Sequence, residues 1–151
     1  MKVEVAWKKH REFLGESGST GVTVTMAGPL PDGISPDEQN PGIRPMEMIL
    51  LGVGGCASYD VVKILEKSRL PIEDCRVNVS AERVDAVPAV FSTIHLHFLI
   101  KLSDEFHPNA GAENKVARAI ELSATKYCSA SIMLGKAGVN MTHSYELIGQ
   151  P

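Results

Sequence analysis

The chain has 151 residues, of which 44% are hydrophobic and 22% are charged, and its formal net charge is −3 at pH 7. This length predicts one domain with a buried hydrophobic core, and this composition excludes a disordered or fibrous chain. Because phosphate binding needs clustered Lys and Arg, the slightly acidic balance indicates that nucleic acid is not a partner.

The first residues, MKVEVAWKKHREF, are charged and alternate between polar and apolar, unlike the apolar region of a secretory leader. The longest apolar stretch, MILLGVGGCA, is too short for a membrane span and is interrupted by glycines. An odd number of cysteines, three, without a leader is typical of a reducing compartment. We therefore expect a cytoplasmic protein with free thiols and no membrane contact.

The N-terminal region predicts a small sheet followed by a long loop. Short runs of β-forming residues cover 3–7, 12–17 and 21–28, with turn residues between the last two. Residues 29–44 contain four prolines and no aromatic residue, and they exceed the usual length of a connection. Such a segment is either an ordinary surface loop or a functional one that bridges subunits.

An apolar helix is predicted after this loop. Pro45 suits the first helical position, and Glu47 lies in the first turn, where a carboxylate stabilises the helix dipole. Three glycines within positions 52–55 predict a bend, after which helical spacing continues to Leu70-Pro71. Cys56 is therefore expected close to the start of the second helical piece.

The second half of the chain predicts further strands and helices, at 75–85, 92–103, 112–126, a short helix from Cys128, and a last strand at 139–148. In the first of these strands Cys75 shares a face with Val77 and Val79, so we expect a small buried residue without a chemical role. His95 and His97 are explained by a polar sheet face, because no third metal ligand is evident.

The order of these elements predicts an α+β fold in a single domain, 1–151. Strands occupy 1–28, the loop 29–44, and the helices and second sheet 45–151. We expect antiparallel sheets packed around two long central helices. These helices are more apolar than one small sheet can cover, which predicts a homodimer that shares their core.

Two cysteines, Cys56 and Cys128, both lie at predicted helix starts. There, free backbone N–H groups and the helix dipole favour a thiolate over a thiol. The two residues are 72 positions apart, so nothing local requires them to meet. The residues alone leave open both a paired redox site and two inert buried cysteines.

Four segments carry a recognisable pattern: PMEMILLGVGGCASYDVVKIL, SAERV, IHLHF and ELSATKYCSASIMLGKAGVNMTHSYEL. Together they resemble the OsmC/Ohr superfamily, in particular its YhfA-like branch. The resemblance extends from Pro45 to Leu147 and is less distinct over the N-terminal strands.

The resemblance implies an intertwined OsmC-like homodimer whose two active sites lie at the subunit interface. It also implies a thiol-dependent peroxidase that reduces organic hydroperoxides in oxidative or osmotic stress defence. Cys56 would be the peroxidatic thiolate, Cys128 the resolving thiol and Glu47 a carboxylate that organises the site. No metal or organic cofactor is implied, and a dithiol such as a dihydrolipoyl protein or thioredoxin would be the reductant.

One feature of the family's characterised peroxidases is not matched. They use an upstream arginine to polarise the peroxide, and no Arg occurs between positions 28 and 42. Arg44 and Arg11 are the candidates to replace it, and Met48 is a candidate for an apolar substrate pocket. Solvated surface arginines are the alternative explanation.

Other functions stay open beside the peroxidase. The missing arginine favours a non-catalytic binding protein that holds a hydrophobic or thiol-bearing ligand at the dimer interface. A metal site formed by Cys56, Cys128 and His143 is a third hypothesis. Asp60 follows Cys56 by one helical turn, and its charge would oppose a thiolate if it faced the sulfur.

Overall fold

The computed structural model describes residues 1–29, 32–33, 42–103, 106 and 110–148. The chain divides into two compact units, Met1–Ile49 and Leu50–Pro151. Most of the predicted loop 29–44 falls outside the described residues, so its role in bridging subunits stays a prediction.

The first unit contains a three-stranded antiparallel sheet, as predicted. Its strands, in spatial order, are β1 (Val3–Lys9), β2 (Glu12–Ser17) and β3 (Thr23–Ala27). The β-branched Val and Thr residues of β3 are typical of strands. Ile43 pairs with Met26 in an isolated parallel bridge, so the chain returns to this sheet just before the first helix.

The first helix, α1 (Pro45–Lys67), is continuous, and the predicted bend at its glycines is wrong. A glycine costs a helix about 1 kcal/mol relative to alanine, but it keeps its backbone N–H, so helical hydrogen bonding continues through it. Gly54 also suits its environment, because a Cβ there would lie only 3.0 Å from a methyl group of Val79. Cys56 consequently lies in the interior of α1 and not at a helix start.

By length and composition alone, α1 could cross a membrane. The sequence argument that the apolar stretch is too short therefore fails for this helix. The core helix of a soluble protein meets the same criteria, so α1 by itself decides nothing about a membrane. The expected lack of membrane contact stays a prediction.

The second unit contains a mixed three-stranded sheet of β4 (Ile72–Arg83), β5 (Phe91–Leu102) and β6 (Asn140–Ile148). The pair β4–β5 is antiparallel and the pair β5–β6 is parallel, so the prediction of purely antiparallel sheets is wrong here. The cause is the connection from β5 to β6. It contains helices that return the chain to the end of the sheet where β5 begins, and the next strand then runs parallel.

These connecting helical segments are α2 (Ala110–Leu122), a π-helical turn (Ser123–Tyr127) and α3 (Ser129–Lys136). The described residues thus contain one long helix and two shorter ones, and the prediction of two long central helices is not confirmed. Gly138, with a φ of +94°, supplies the left-handed conformation that leads the chain from α3 into β6.

The core of the second unit is built mainly from one face each of α1, β5 and α2, as the residue spacing predicts. From Ile94 to Leu102, every second side chain of β5 is buried. The helices present residues three and four positions apart. The buried set comprises Val53, Ala57, Val61, Leu65, Ile94, Leu96, Phe98, Ile100, Val116, Ala119 and Ile120. This core holds the segments that carry Cys56 and Cys128.

Candidate active site

Cys56, Asp60 and Cys128 form a cluster that we call the cysteine cluster. Each sulfur and a carboxylate oxygen of Asp60 all lie within 4.8 Å of one another. Asp60 follows Cys56 by one turn of α1 and therefore shares its face of the helix. The structure therefore brings these two cysteines together, although they are distant in the sequence. Both thiols are free.

Cys128 is the N-cap residue of α3, as its predicted position at a helix start requires. Its sulfur accepts hydrogen bonds from the backbone N–H of Ser131 at 3.4 Å and from the Ser131 hydroxyl at 3.1 Å. The side chain is 0% exposed. Burial raises the pKa of the Cys128 thiol, the bonds from Ser131 oppose this rise, and neighbouring Cys56 adds to it.

The two sulfurs differ in access. Cys56 is half-buried, whereas Cys128 is closed off from solvent. A solute that enters the cluster therefore meets Cys56 before Cys128. Cys56 gains no N–H groups from a helix start, because it lies within α1.

Ser123 connects the segments that carry the two cysteines. Its buried hydroxyl donates to the carbonyl of Ala57 at 3.1 Å, next to Cys56 in α1. Its own carbonyl accepts the backbone N–H of Cys128 at 2.8 Å. The sequence indicates only that Ser123 belongs to a buried helical stripe, because a contact over 66 residues leaves no local pattern.

The other candidate residues of the peroxidase hypothesis lie in the first unit. The Glu47 carboxylate accepts the backbone N–H of Arg44 at 2.9 Å, the reciprocal bond of a capping box at the start of α1. Arg44 and Glu47 are both exposed. Arg11 donates from Nη1 to the carbonyl of Pro29 at 3.2 Å.

Met48 lines an apolar cavity of about 650 Å³ in the first unit. The cavity lies against one face of the first sheet, and its other apolar side chains come from β1, β3 and the turn before β3. They are Val3, Val5, Val22, Val24 and Met26. This volume is within the range of small-molecule sites.

The second unit has two smaller cavities near the cysteine cluster. One, of about 320 Å³, has Asp60, Lys63, Lys67 and Tyr127 in its wall. The other, of about 130 Å³, is lined by Ala57, Ser131 and His143, by the half-buried Met141, and by the buried core residues Leu96, Phe98 and Ile120. Neither cysteine lines the smaller cavity, and Asp60 connects the cysteine cluster with the larger one.

Among the described residues, the cysteine cluster is the only group of three or more Cys, His, Asp or Glu side chains with metal-ligand spacing. His143 is not part of it, so the hypothesis of a metal held by Cys56, Cys128 and His143 does not fit the geometry. Elemental analysis of the purified protein tests whether the cluster holds a thiophilic ion, and we assign none.

The remaining candidates behave as ordinary structural residues. His95 bonds Thr142 at 2.7 Å and Ser144 at 2.8 Å, and His97 bonds the same Ser144 hydroxyl at 2.8 Å. These contacts explain both histidines by a polar sheet face, as predicted. Cys75 is half-buried, so the expected full burial is not found. Burial, and after it the charge of Asp74, raises the pKa of the Cys75 thiol.

Comparison with known proteins identifies the family. Residues 36–144 match the sequence model of the family described as OsmC-like protein. The structure is similar to an OsmC-like protein from Mycoplasma pneumoniae, with a TM-score of 0.75 and 16% identity, over 98% of this chain and 96% of that one. It is also similar to the organic hydroperoxide resistance protein OhrB of Bacillus subtilis, with a TM-score of 0.58 and 15% identity, over 97% and 98% of the two chains. At these identities the two structures bear on the fold alone.

The chain belongs to the OsmC family, with its α+β fold. Among curated proteins it is 43% identical to protein YhfA of Escherichia coli K12, over 148 residues and 98% of each chain.

Proposed function

We propose that this protein is a thiol-dependent peroxidase that reduces organic hydroperoxides through Cys56 and Cys128. The observation that carries the proposal is the approach of two sulfurs, 72 positions apart, to within 4.8 Å. We take the substrate class by analogy from OhrB of Bacillus subtilis, which shares the fold and is named as an organic hydroperoxide resistance protein. Defence against oxidative or osmotic stress in the cytoplasm is the role that we propose for this activity.

The first step belongs to the more accessible sulfur. Cys56, as a thiolate, attacks the distal oxygen of the hydroperoxide, so that an S–O bond forms and the O–O bond breaks. The alkoxide leaves and takes up a proton to become the alcohol. The sulfur of Cys56 is thereby oxidised to a sulfenic acid.

The second step protects this sulfenic acid from further oxidation. Cys128 attacks the Cys56 sulfur, the S–S bond forms, the S–O bond breaks and water leaves. An external dithiol, of the dihydrolipoyl or thioredoxin kind, then reduces the disulfide by two thiol exchanges and becomes oxidised itself. These steps require no metal or organic cofactor.

A homodimer with active sites at the interface is part of this proposal. Each unit exposes large apolar side chains, and exposed apolar patches mark interaction surfaces. They include Val3, Trp7 and Val22 in the first unit and Leu51, Tyr59 and Met133 in the second. Light scattering should give twice the chain mass, and a monomer at all concentrations would contradict the dimer.

The assay for the peroxidase is turnover of cumene hydroperoxide with a dithiol reductant. Cys56→Ser should abolish turnover, because the attacking sulfur is lost, and Cys75→Ser should leave it unchanged as the matched control. Substitution of Glu47, Arg11, Arg44 or Met48 tests whether each assists the reaction. No turnover by the wild-type protein with any alkyl hydroperoxide would refute the proposal.

A second candidate is a non-catalytic protein that binds a hydrophobic or thiol-bearing ligand. The apolar cavity of about 650 Å³ that Met48 lines favours it, and so does the lack of a matching arginine. Mass spectrometry of the protein purified under native conditions would find a co-purifying apolar ligand. Binding without any hydroperoxide turnover would support this candidate over the peroxidase.

A further inference from the structure

The Asp60 carboxylate is the third member of the cysteine cluster, and the peroxidase steps above do not use it. It lies within 4.8 Å of both sulfurs and belongs to a half-buried residue. In the described part of the chain, no hydrogen bond or ion pair to this carboxylate is found. A carboxylate held beside two thiols without a fixed partner is available to exchange a proton.

Disulfide formation must remove the proton of Cys128 in a place that water does not reach. Cys128 is 0% exposed, and Ser131 donates to its sulfur from both the backbone N–H and the hydroxyl. Cys56 also bonds the Cys128 thiol, but it is the sulfur that Cys128 attacks and therefore does not carry the proton away. A hydroxyl that donates to the sulfur cannot accept the thiol proton at the same time. Asp60 brings an acceptor oxygen close to the sulfur, and it also lines the cavity of about 320 Å³ beside Lys63 and Lys67.

We propose that Asp60 is the general base, and then the general acid, of disulfide formation between Cys56 and Cys128. Its carboxylate takes the proton of the Cys128 thiol as the S–S bond forms. It then gives this proton to the hydroxide that leaves when the S–O bond of the Cys56 sulfenic acid breaks, and water results. This role rests on the proposed peroxidase function, because hydroperoxide supplies the sulfenic acid.

A carboxylate can affect nearby thiols in two opposite ways. As a mere charge it opposes thiolate formation, so its removal would speed reactions of the cysteines. As a proton acceptor it assists the attack of Cys128, and general acid–base groups contribute about 10²-fold or more to such steps. The sign of the change on removing the carboxylate therefore separates the two roles.

The test uses the full-length Cys75→Ser protein, to which either Asp60→Asn or the control Glu66→Gln is added. Glu66 is an exposed carboxylate of the same helix. Disulfide formation is followed near neutral pH after one equivalent of cumene hydroperoxide, and separately after diamide, which oxidises thiols without a peroxide. Sulfenic acid on Cys56 is trapped with dimedone.

Asp60→Asn should slow disulfide formation about a hundredfold with both oxidants, and dimedone-labelled Cys56 should accumulate after hydroperoxide. Glu66→Gln should form the disulfide at the rate of the parent protein. In a third variant, Asp60→Ala, added formate should restore part of the rate of disulfide formation. A rate for Asp60→Asn that is within tenfold of the parent or above it would overturn the proposal. If the parent forms the disulfide with diamide but not with hydroperoxide, the peroxidase proposal fails, and the diamide rates still decide the role of Asp60.

Discussion

Replacement of Ser131 by alanine should slow the resolving step while leaving the attack of Cys56 on hydroperoxide intact. The Ser131 hydroxyl donates to the Cys128 sulfur at 3.1 Å and lowers the pKa of this buried thiol. The backbone N–H of Ser131 still donates in the variant, because alanine keeps it. Ser131→Ala therefore removes one of two hydrogen bonds to the sulfur.

The size of this rate effect follows from the loss of one hydrogen bond to the Cys128 thiolate. Such bonds contribute about 1.5–3 kcal/mol, and the low end applies because sulfur is a diffuse acceptor and a second donor remains. A loss of about 1.4 kcal/mol reduces the thiolate population about tenfold. The remaining Cys128 thiolate is more nucleophilic, with a Brønsted slope of about 0.4–0.5, so the net rate falls about threefold to fourfold.

Stopped-flow measurement of disulfide formation after one equivalent of cumene hydroperoxide checks this result. The rate of Ser131→Ala should be lower near neutral pH, and its pH profile should move towards higher pH. Ser129→Ala is the matched control, because Ser129 is exposed and adjoins Cys128. An unchanged pH profile for Ser131→Ala would refute the role assigned to this hydrogen bond.

Three further predictions concern the same unit. Cys56→Ser should lower the pKa of Cys128, measured by ultraviolet absorbance of the thiolate, because Cys56 raises it; an unchanged pKa would deny their coupling. Burial raises the pKa of Cys75 above its ordinary value of 9.0. Cys75 therefore stabilises the fold below pH 9, where folded and unfolded chains both keep the proton, and this contribution is lost as pH rises further. In urea unfolding, the free energy of unfolding should decline less steeply with rising alkaline pH for Cys75→Ala than for the wild-type protein. Parallel declines for the two proteins would count against this role of Cys75. Ser123→Ala should lower the free energy of unfolding by about 1 kcal/mol, because its bond to the Ala57 carbonyl is lost, and should also slow disulfide formation; an unaltered rate would show that this bond does not position the cysteines.

The elements with a strong periodic pattern could be predicted from the sequence. The alternation of apolar and polar residues predicts β5 and its buried face, because successive side chains of a strand point to opposite faces of the sheet. The position at a helix start predicts Cys128 at the beginning of α3, where the first N–H groups of a helix need a local acceptor. Both signals are local, and neither depends on the rest of the chain.

The features that the sequence did not predict depend on distant contacts. Glycines weaken a helix locally, but packing of α1 on the second sheet keeps it continuous, and this moves Cys56 from a helix start to a helix interior. The parallel pairing of β6 with β5 depends on the path of the helical connection. The place of Asp60 beside Cys128 depends on how α1 meets the segment before α3, which no local spacing encodes.

The central claim is that Cys56 and Cys128 form a redox pair, and detection of their disulfide is its most direct test. The reduced protein is treated with one equivalent of cumene hydroperoxide, and its intact mass and peptide map are recorded without reductant. The account predicts a loss of two hydrogen atoms per chain and a peptide pair linked through Cys56 and Cys128. An unchanged reduced mass, or a stable gain of oxygen on one cysteine without any link, would contradict it.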